Sequence, residues 1–235
     1  MKVAILCGGK GTRLAELTEA IPKGLIPIGD QPIVWHIMQY FASFGHTEFV
    51  LLVGYMAAKF EQYVKTTPAN WSVVCVDAGS EATKSERLLA AAAHLRSDRF
   101  FLAYGDDLCT VDLDQVVRAN DASQAVVTLT AVRPPNPFGV IEIDPAGRVT
   151  SFREKEQSAD WINGGYMVAR PALFDELGRG ELETVVLPHL AKQGSVDVWA
   201  HDGFWMSMNT FKESQELAAM WRAGAPPWRR WEDSR

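Results

Sequence analysis

The alternation of short apolar runs with helix-period segments along the first half of the chain constrains its fold more than any other feature. Val3–Cys7 and Phe49–Val53 are continuous apolar runs of strand length, whereas Ile33–Phe44 and Met56–Val64 repeat apolar residues at helical spacing. Trp71–Val76 and Phe100–Tyr104 extend the series, separated by the Ala- and Leu-rich segment Arg87–Leu95. Strands that are apolar throughout are buried on both faces, which predicts a parallel sheet covered by helices on each side. The pattern then changes. Ala125–Val132, Val140–Ile143 and Val149–Glu154 follow with little helix between them, and Ile162–Val168 and Val196–Ala200 add further strands. Asp144-Pro145-Ala146-Gly147 is a turn that joins two of these runs as a hairpin. Helices are expected over Pro171–Leu177, Leu182–Gln193 and Lys212–Trp221.

The expected class is therefore α/β, with a Rossmann-like, mostly parallel central sheet flanked by helices and a small antiparallel β element in the second half. The 235 residues contain no internal repeat, no low-complexity block and no clear linker, so one domain over 1–235 is expected. A hydrophobic content of 47% supplies its core. The tail Ala223–Arg235, with Pro226-Pro227, Trp228 and Trp231, leaves two readings open: a frayed end, or packing on the body or a neighbouring subunit.

A formal charge of −6 argues against broad nucleic-acid binding, which needs a basic face. It leaves room for an anionic small substrate, because a few local Lys and Arg suffice to hold phosphates. Cys7, Cys75 and Cys109 are scattered, with neither CxxC spacing nor His neighbours, and read as reduced thiols. The run Val3–Leu6 is too short for a signal peptide, and no stretch has the length of a membrane span. A cytoplasmic location with no membrane contact is the expectation.

The first strand ends in Leu6-Cys7-Gly8-Gly9-Lys10-Gly11-Thr12-Arg13-Leu14. Such a loop offers several backbone N–H groups with few side chains in the way, and so suits a polyphosphate. The GxGxxG spacing fails because the third required glycine is Leu14, and the Walker pattern fails because Lys10 precedes Gly11. Glycines alone also fit an ordinary tight turn; Lys10 and Arg13 tip the balance toward phosphate. Lys23, in Ile21-Pro22-Lys23-Gly24, taken by itself reads equally as a solvated lysine.

The run Gly8–Leu14, then Pro22-Lys23, then Ile28-Gly29-Asp30-Gln31-Pro32-Ile33, resembles the signature of the sugar-phosphate nucleotidyltransferases, GGxGTRL followed by PKP and a segment ending in PI. Trp35-His36-Ile37-Met38, Tyr104-Gly105-Asp106, Ile162-Asn163-Gly164-Gly165, Gly203-Phe204-Trp205 and Ala225-Pro226-Pro227-Trp228 are similar to the glucose-1-phosphate cytidylyltransferase branch. The resemblance spans nearly the whole chain and implies a GT-A-like nucleotidyltransferase fold, with 1–132 as the NTP-binding core and 133–235 as the sugar-phosphate-binding part and C-terminal tail. It implies that CTP, or another NTP, and a sugar 1-phosphate react to an NDP-sugar and pyrophosphate. It implies Leu6, Gly8, Gly9, Gly11, Thr12 and Gly105 around the nucleotide, with Arg13 and Lys23 as catalytic cations. Lys155, in Glu154-Lys155, would hold the sugar phosphate, beside Asn163 and Gly164. Mg²⁺ would lie at Asp106 and Asn209. Members of the family often assemble, so a homo-oligomer is compatible with the resemblance.

Departures from the pattern concentrate at the metal and acceptor ends. The second metal aspartate of the family is Asn209 here, which offers an oxygen without the charge, and Asp107 is expected to restore part of that charge. PKP is Pro22-Lys23-Gly24, and EKP is Glu154-Lys155-Glu156, which puts an anion beside the acceptor site. In Thr83-Lys84-Ser85-Glu86-Arg87-Leu88, Arg87 is expected to donate to the base. Glu86 either accepts from the base or merely complements a helix N-terminus. Guanylyl or thymidylyl transfer, another phosphorylated acceptor, and a non-catalytic nucleotide-binding relative are the alternatives. Arg13, Lys23, Asp106 and Lys155 together argue for turnover.

Overall fold

A computed structural model of the chain describes residues 1–154 and 156–231. Lys2–Leu6 lies within one eight-stranded sheet, parallel to Glu48–Val53 on one side and to Phe100–Tyr104 on the other, with Ser72–Asp77 parallel beyond Glu48–Val53. Tyr166–Ala169 is antiparallel to both Phe100–Tyr104 and Val127–Val132, and Val196–His201 pairs parallel with Val127–Val132. The sheet thus draws strands from both sides of residue 132.

Alternation along each strand builds two cores. Val3, Ile5, Phe49, Leu51 and Phe101 face the helix Ile33–Ala42 and the buried Leu217 and Trp228. Ala4, Val50, Leu52, Phe100 and Leu102 face Leu88, Leu95, Phe174 and Leu190. Both faces being covered explains why these strands read as unbroken apolar runs.

The expected strand Ile162–Val168 is divided into Ile162–Asn163 and Tyr166–Ala169. Val168 lies opposite Thr128 and Asn163 opposite Ala131, so five steps on one strand match three on the other. The surplus falls at Gly164-Gly165, where Gly165 takes φ +79°, a left-handed value that favours glycine. The helix Leu113–Ser123 was not expected from its polar sequence; it starts at Asp112, whose side chain accepts from the backbone N–H of Asp114 and Gln115. The Leu182–Gln193 helix is found as a π turn over Leu182–Val186 followed by Leu187–Lys192.

The hairpin Val140–Ile143 with Val149–Arg153 stands apart from the sheet, closed by Asp144, which accepts from the N–H of Ala146 and Arg148. A second small pair, Asp107–Cys109 with Trp205–Ser207, joins segments about a hundred residues apart and had no local signal. The tail packs on the body: Trp228 is fully buried and its indole N–H reaches His36 Nδ1 at 3.4 Å. Among the described residues no helix is long and apolar enough to cross a membrane.

Candidate active site

The parallel strands Lys2–Leu6 and Phe100–Tyr104 run side by side and end together, and the chain opens there into a cleft of about 630 Å³. The carboxyl ends of parallel strands are where open α/β sheets bind ligands. Leu6, Gly8, Gly9, Gly11, Thr12, Arg13, Lys23, Arg87, Gly105, Asp106, Asn163 and Asn209 all line it. The two strand ends touch closely, since a Cβ on Gly105 would stand 2.8 Å from the Leu6 carbonyl oxygen.

The glycine loop is shaped by what passes beneath it. A Cβ on Gly8 would fall 2.1 Å from Arg87 Nη1, so only glycine lets the guanidinium lie under the loop. Arg87 is buried and donates to Val53 O at 2.5 Å and to Ser80 O at 3.2 Å. Thr18 Oγ1 hydrogen-bonds Gly11 O and Leu14 O, pinning the far side of the loop. Arg13 remains exposed at the rim, and Lys10 crosses to Glu81 at 2.5 Å. Glu86 does not enter the cleft. Its carboxylate accepts from Thr83 N–H and Oγ–H in a capping box, so the helix-terminus reading holds.

Lys23 sits on a short turn after Pro22, and its ammonium donates to the Asp106 carboxylate and to Asn209 Oδ1 at 3.1 Å. Asn209 is also held by two hydrogen bonds of its own and one of its neighbour Met208. The Asn209 N–H donates to Glu213 Oε2 at 2.7 Å, its Nδ2 to Ser207 Oγ at 2.9 Å, and Met208 N–H to Asp106 O at 2.8 Å. Oxygens from residues 106 and 209 therefore converge on one cation, the ammonium of Lys23. A carboxylate and an amide carbonyl meeting at one positive centre are the donor set that a hard divalent cation takes. Among the described residues no group of three or more His, Cys, Asp or Glu side chains is arranged to hold a metal.

Asp107 also lines the cleft, and its burial works against its supplying the charge missing at Asn209. It is buried, and burial first and the Asp106 charge next push its carboxyl well above the ordinary range, against the opposing hydrogen bond from Ser207.

At the other end, Asn163 Nδ2 donates to Tyr104 Oη at 3.0 Å and Asn163 Oδ1 accepts from Gly165 N–H at 3.1 Å. Gly164 is engaged in the bulge: its N–H donates to Thr130 O at 2.8 Å, and its carbonyl accepts from Trp205 Nε1 at 2.9 Å. It does not line the cleft. Glu154 does not line it either; it is exposed at the end of the hairpin, beside Gly139. Lys155 lies outside the described residues. Glu156, expected as an anion beside the acceptor, is paired with Arg153 at 2.6 Å.

Tyr104, Lys84, Glu181, Trp205 and Ser207 line the cleft without having been singled out. Tyr104 and Ser207 stand two residues before Asp106 and Asn209, and that adjacency was the available signal. Lys84 stands three residues before Arg87 on the same helix, whereas Glu181 had no such signal, because the docking of a segment distant in sequence brings it in.

The sequence model described as nucleotidyl transferase matches residues 2–210. The "Probable glucose-1-phosphate cytidylyltransferase" of Bacillus subtilis (strain 168) is 34% identical, over 98% of this chain and all of that protein. The glucose-1-phosphate cytidylyltransferase of Salmonella typhi is 33% identical, over 99% of this chain and all of that protein. A mannose-1-phosphate guanyltransferase beta-B of Xenopus laevis is 29% identical over 91% of this chain and 62% of its own length. Among solved structures, HddC from Yersinia pseudotuberculosis complexed with GMP-PN superposes with a TM-score of 0.74 at 19% identity, over 94% of this chain and 99% of that one. Likeness at that identity establishes the fold.

Proposed function

We propose, because this chain belongs to the nucleotidyl transferase family, that it is a sugar-1-phosphate nucleotidyltransferase that draws its nucleotide from CTP. An acceptor phosphate oxygen attacks the α-phosphorus, the bond from that phosphorus to the bridging oxygen breaks, and pyrophosphate leaves with the electron pair. No covalent enzyme intermediate and no general base are required, so the work is to position two anions and neutralise them.

The glycine loop offers N–H groups of Gly8, Gly9, Gly11 and Thr12 to the triphosphate. Arg13 meets charge developing on pyrophosphate. Lys23 leaves Asp106 and Asn209 for the α-phosphate region when substrate enters. Asp106 and Asn209 would hold Mg²⁺, which would supply neutralisation of the phosphate charge. Arg87 donates to the base from beneath the loop, Asn163 reads acceptor hydroxyls, and Lys155 holds the acceptor phosphate. The convergence of Asp106 and Asn209 on a single cation below the glycine loop is the observation that carries the reading. The choice of CTP leans on the two cytidylyltransferases, which align over their full length.

A panel assay tests both levels: protein, Mg²⁺, each NTP in turn and a set of sugar 1-phosphates, with pyrophosphate measured. Release with CTP is expected. Release with GTP or dTTP alone would overturn the cytidylyl assignment and leave the reaction class standing. The guanylyl reading is kept because guanyltransferases align over 91% of this chain.

A further inference from the structure

Behind Asn163 runs a chain of hydrogen bonds that neither the resemblance nor the reaction accounts for. Lys84 Nζ, on the first turn of the helix Lys84–Ala90, donates to Glu183 Oε1 at 2.6 Å. The same oxygen accepts the Tyr104 hydroxyl proton at 2.7 Å. Tyr104 has one proton to give, so toward Asn163 its oxygen acts as an acceptor, and the Asn163 amide nitrogen stands there at 3.0 Å. With its nitrogen turned to Tyr104, Asn163 presents its oxygen to the N–H of Gly165 at 3.1 Å. The Glu183 carboxylate sets the direction of the Tyr104 hydroxyl, and the Gly165 N–H sets that of the Asn163 oxygen, so both ends of the chain agree on one amide orientation. A tyrosine hydroxyl free of that carboxylate could turn its proton toward Asn163, and the amide N–H would lose its acceptor.

We propose that Glu183 and Lys84 are positioning residues that fix the amide of Asn163 in the one orientation that serves the acceptor. Stability alone does not account for the pair. Its side chains are 44% and 27% exposed, and ion pairs so open to water contribute little. Glu183 stands on the π turn Leu182–Val186, an insertion in helical geometry that is frequent at functional sites. Lys84 lines the cleft on the same helix as Arg87, so the chain joins the nucleotide side of the cleft to the acceptor side.

The inference rests on the placing of Asn163 at the acceptor, and the experiment separates the two. The full-length protein is assayed with CTP and glucose 1-phosphate. Glu183→Leu is expected to raise KM for glucose 1-phosphate by about tenfold, with KM for CTP within about twofold, the scale of one lost orienting hydrogen bond. Glu183→Gln, which keeps an acceptor oxygen for Tyr104, recovers most of the loss, and Lys84→Met shows a smaller rise. An unchanged acceptor KM in Glu183→Leu, or an equal rise in both KM values, overturns the inference. If Asn163→Ala leaves the acceptor KM unchanged, the placing of Asn163 fails instead. A second readout needs no substrate: the side-chain amide of Asn163 is followed by ¹⁵N–¹H NMR. Its two proton resonances are expected to keep their wild-type shifts in Glu183→Gln and to move toward those of a solvated asparagine in Glu183→Leu. Identical spectra in all three overturn the inference.

Discussion

Lys23 is held between Asp106 and Asn209 by contacts that a metal ion would have to replace. Position 209 carries an amide, so one of the two oxygens brings no charge to that competition. Asn209→Asp is expected to lower the Mg²⁺ concentration for half-maximal turnover by about tenfold, since the count of charged ligands tunes divalent affinity. A titration midpoint unmoved by the substitution would remove Asn209 from the metal site. Asp107, which sequence alone offered as a substitute, lines the cleft as Asp106 does but is buried, and burial and the Asp106 charge raise its carboxyl pKa. Linear proximity carried no information about that burial.

The element that most shapes the acceptor side is the Gly164-Gly165 bulge. It turns Asn163 toward Tyr104 and frees the Gly164 carbonyl for Trp205. Gly165 is fixed by its backbone, at φ +79°, and by space, since a Cβ there would lie 2.5 Å from Asp107 Oδ2 and 2.6 Å from Tyr104 Cδ2. Gly165→Ala is expected to destabilise the fold by roughly 1–3 kcal/mol, the cost of a strained backbone position. Thermal or denaturant unfolding measures it, and a wild-type midpoint would mean that the bulge relaxes to admit the methyl group. The motif Asn163-Gly164-Gly165 was legible in sequence; its function as a two-residue interruption of a strand was not, because register is decided against Val127–Val132.

At the scale of the whole molecule, the C-terminal tail completes the core on the face of the sheet that carries the helix Ile33–Ala42. Trp228 stacks near Phe204 and donates toward His36, whose Nε2 lies 2.9 Å from Ile28 O. This pair of partners selects the tautomer in which Nε2 carries the proton and Nδ1 accepts. Burial pulls the His36 pKa down to about 4 from its ordinary 6.5. Between these values the unfolded chain binds a proton that the folded chain refuses. The stability from neutral His36 is therefore full above pH 6.5 and lost as pH falls toward 4. The loss is roughly 3 kcal/mol at the lower end. His36→Gln, which keeps a donor for Ile28 O, is expected to flatten the fall in melting temperature over that window relative to the wild type. Parallel pH profiles for the two proteins would exclude His36 as the titrating group.

The strands and helices of the first half, the sheet class and the glycine loop are properties of local sequence. Apolar periodicity and a run of small residues have the same meaning wherever they occur in a chain. The family signature also lies in contiguous residues, and twelve of the residues it pointed to line one cleft. Tertiary structure alone decided the rest. Glu181 is brought to the cleft, and Glu183 to Lys84 at its edge, by the docking of segments about a hundred residues apart, and Glu154 is carried away from it on a hairpin. Glu86 is taken out of the cleft by a cap, and Asp107 lines the cleft as a buried carboxyl. Trp228 is placed in the core by His36, almost two hundred residues earlier. Charge state, register and amide orientation depend on what stands opposite a residue, and that is set only when the chain closes on itself.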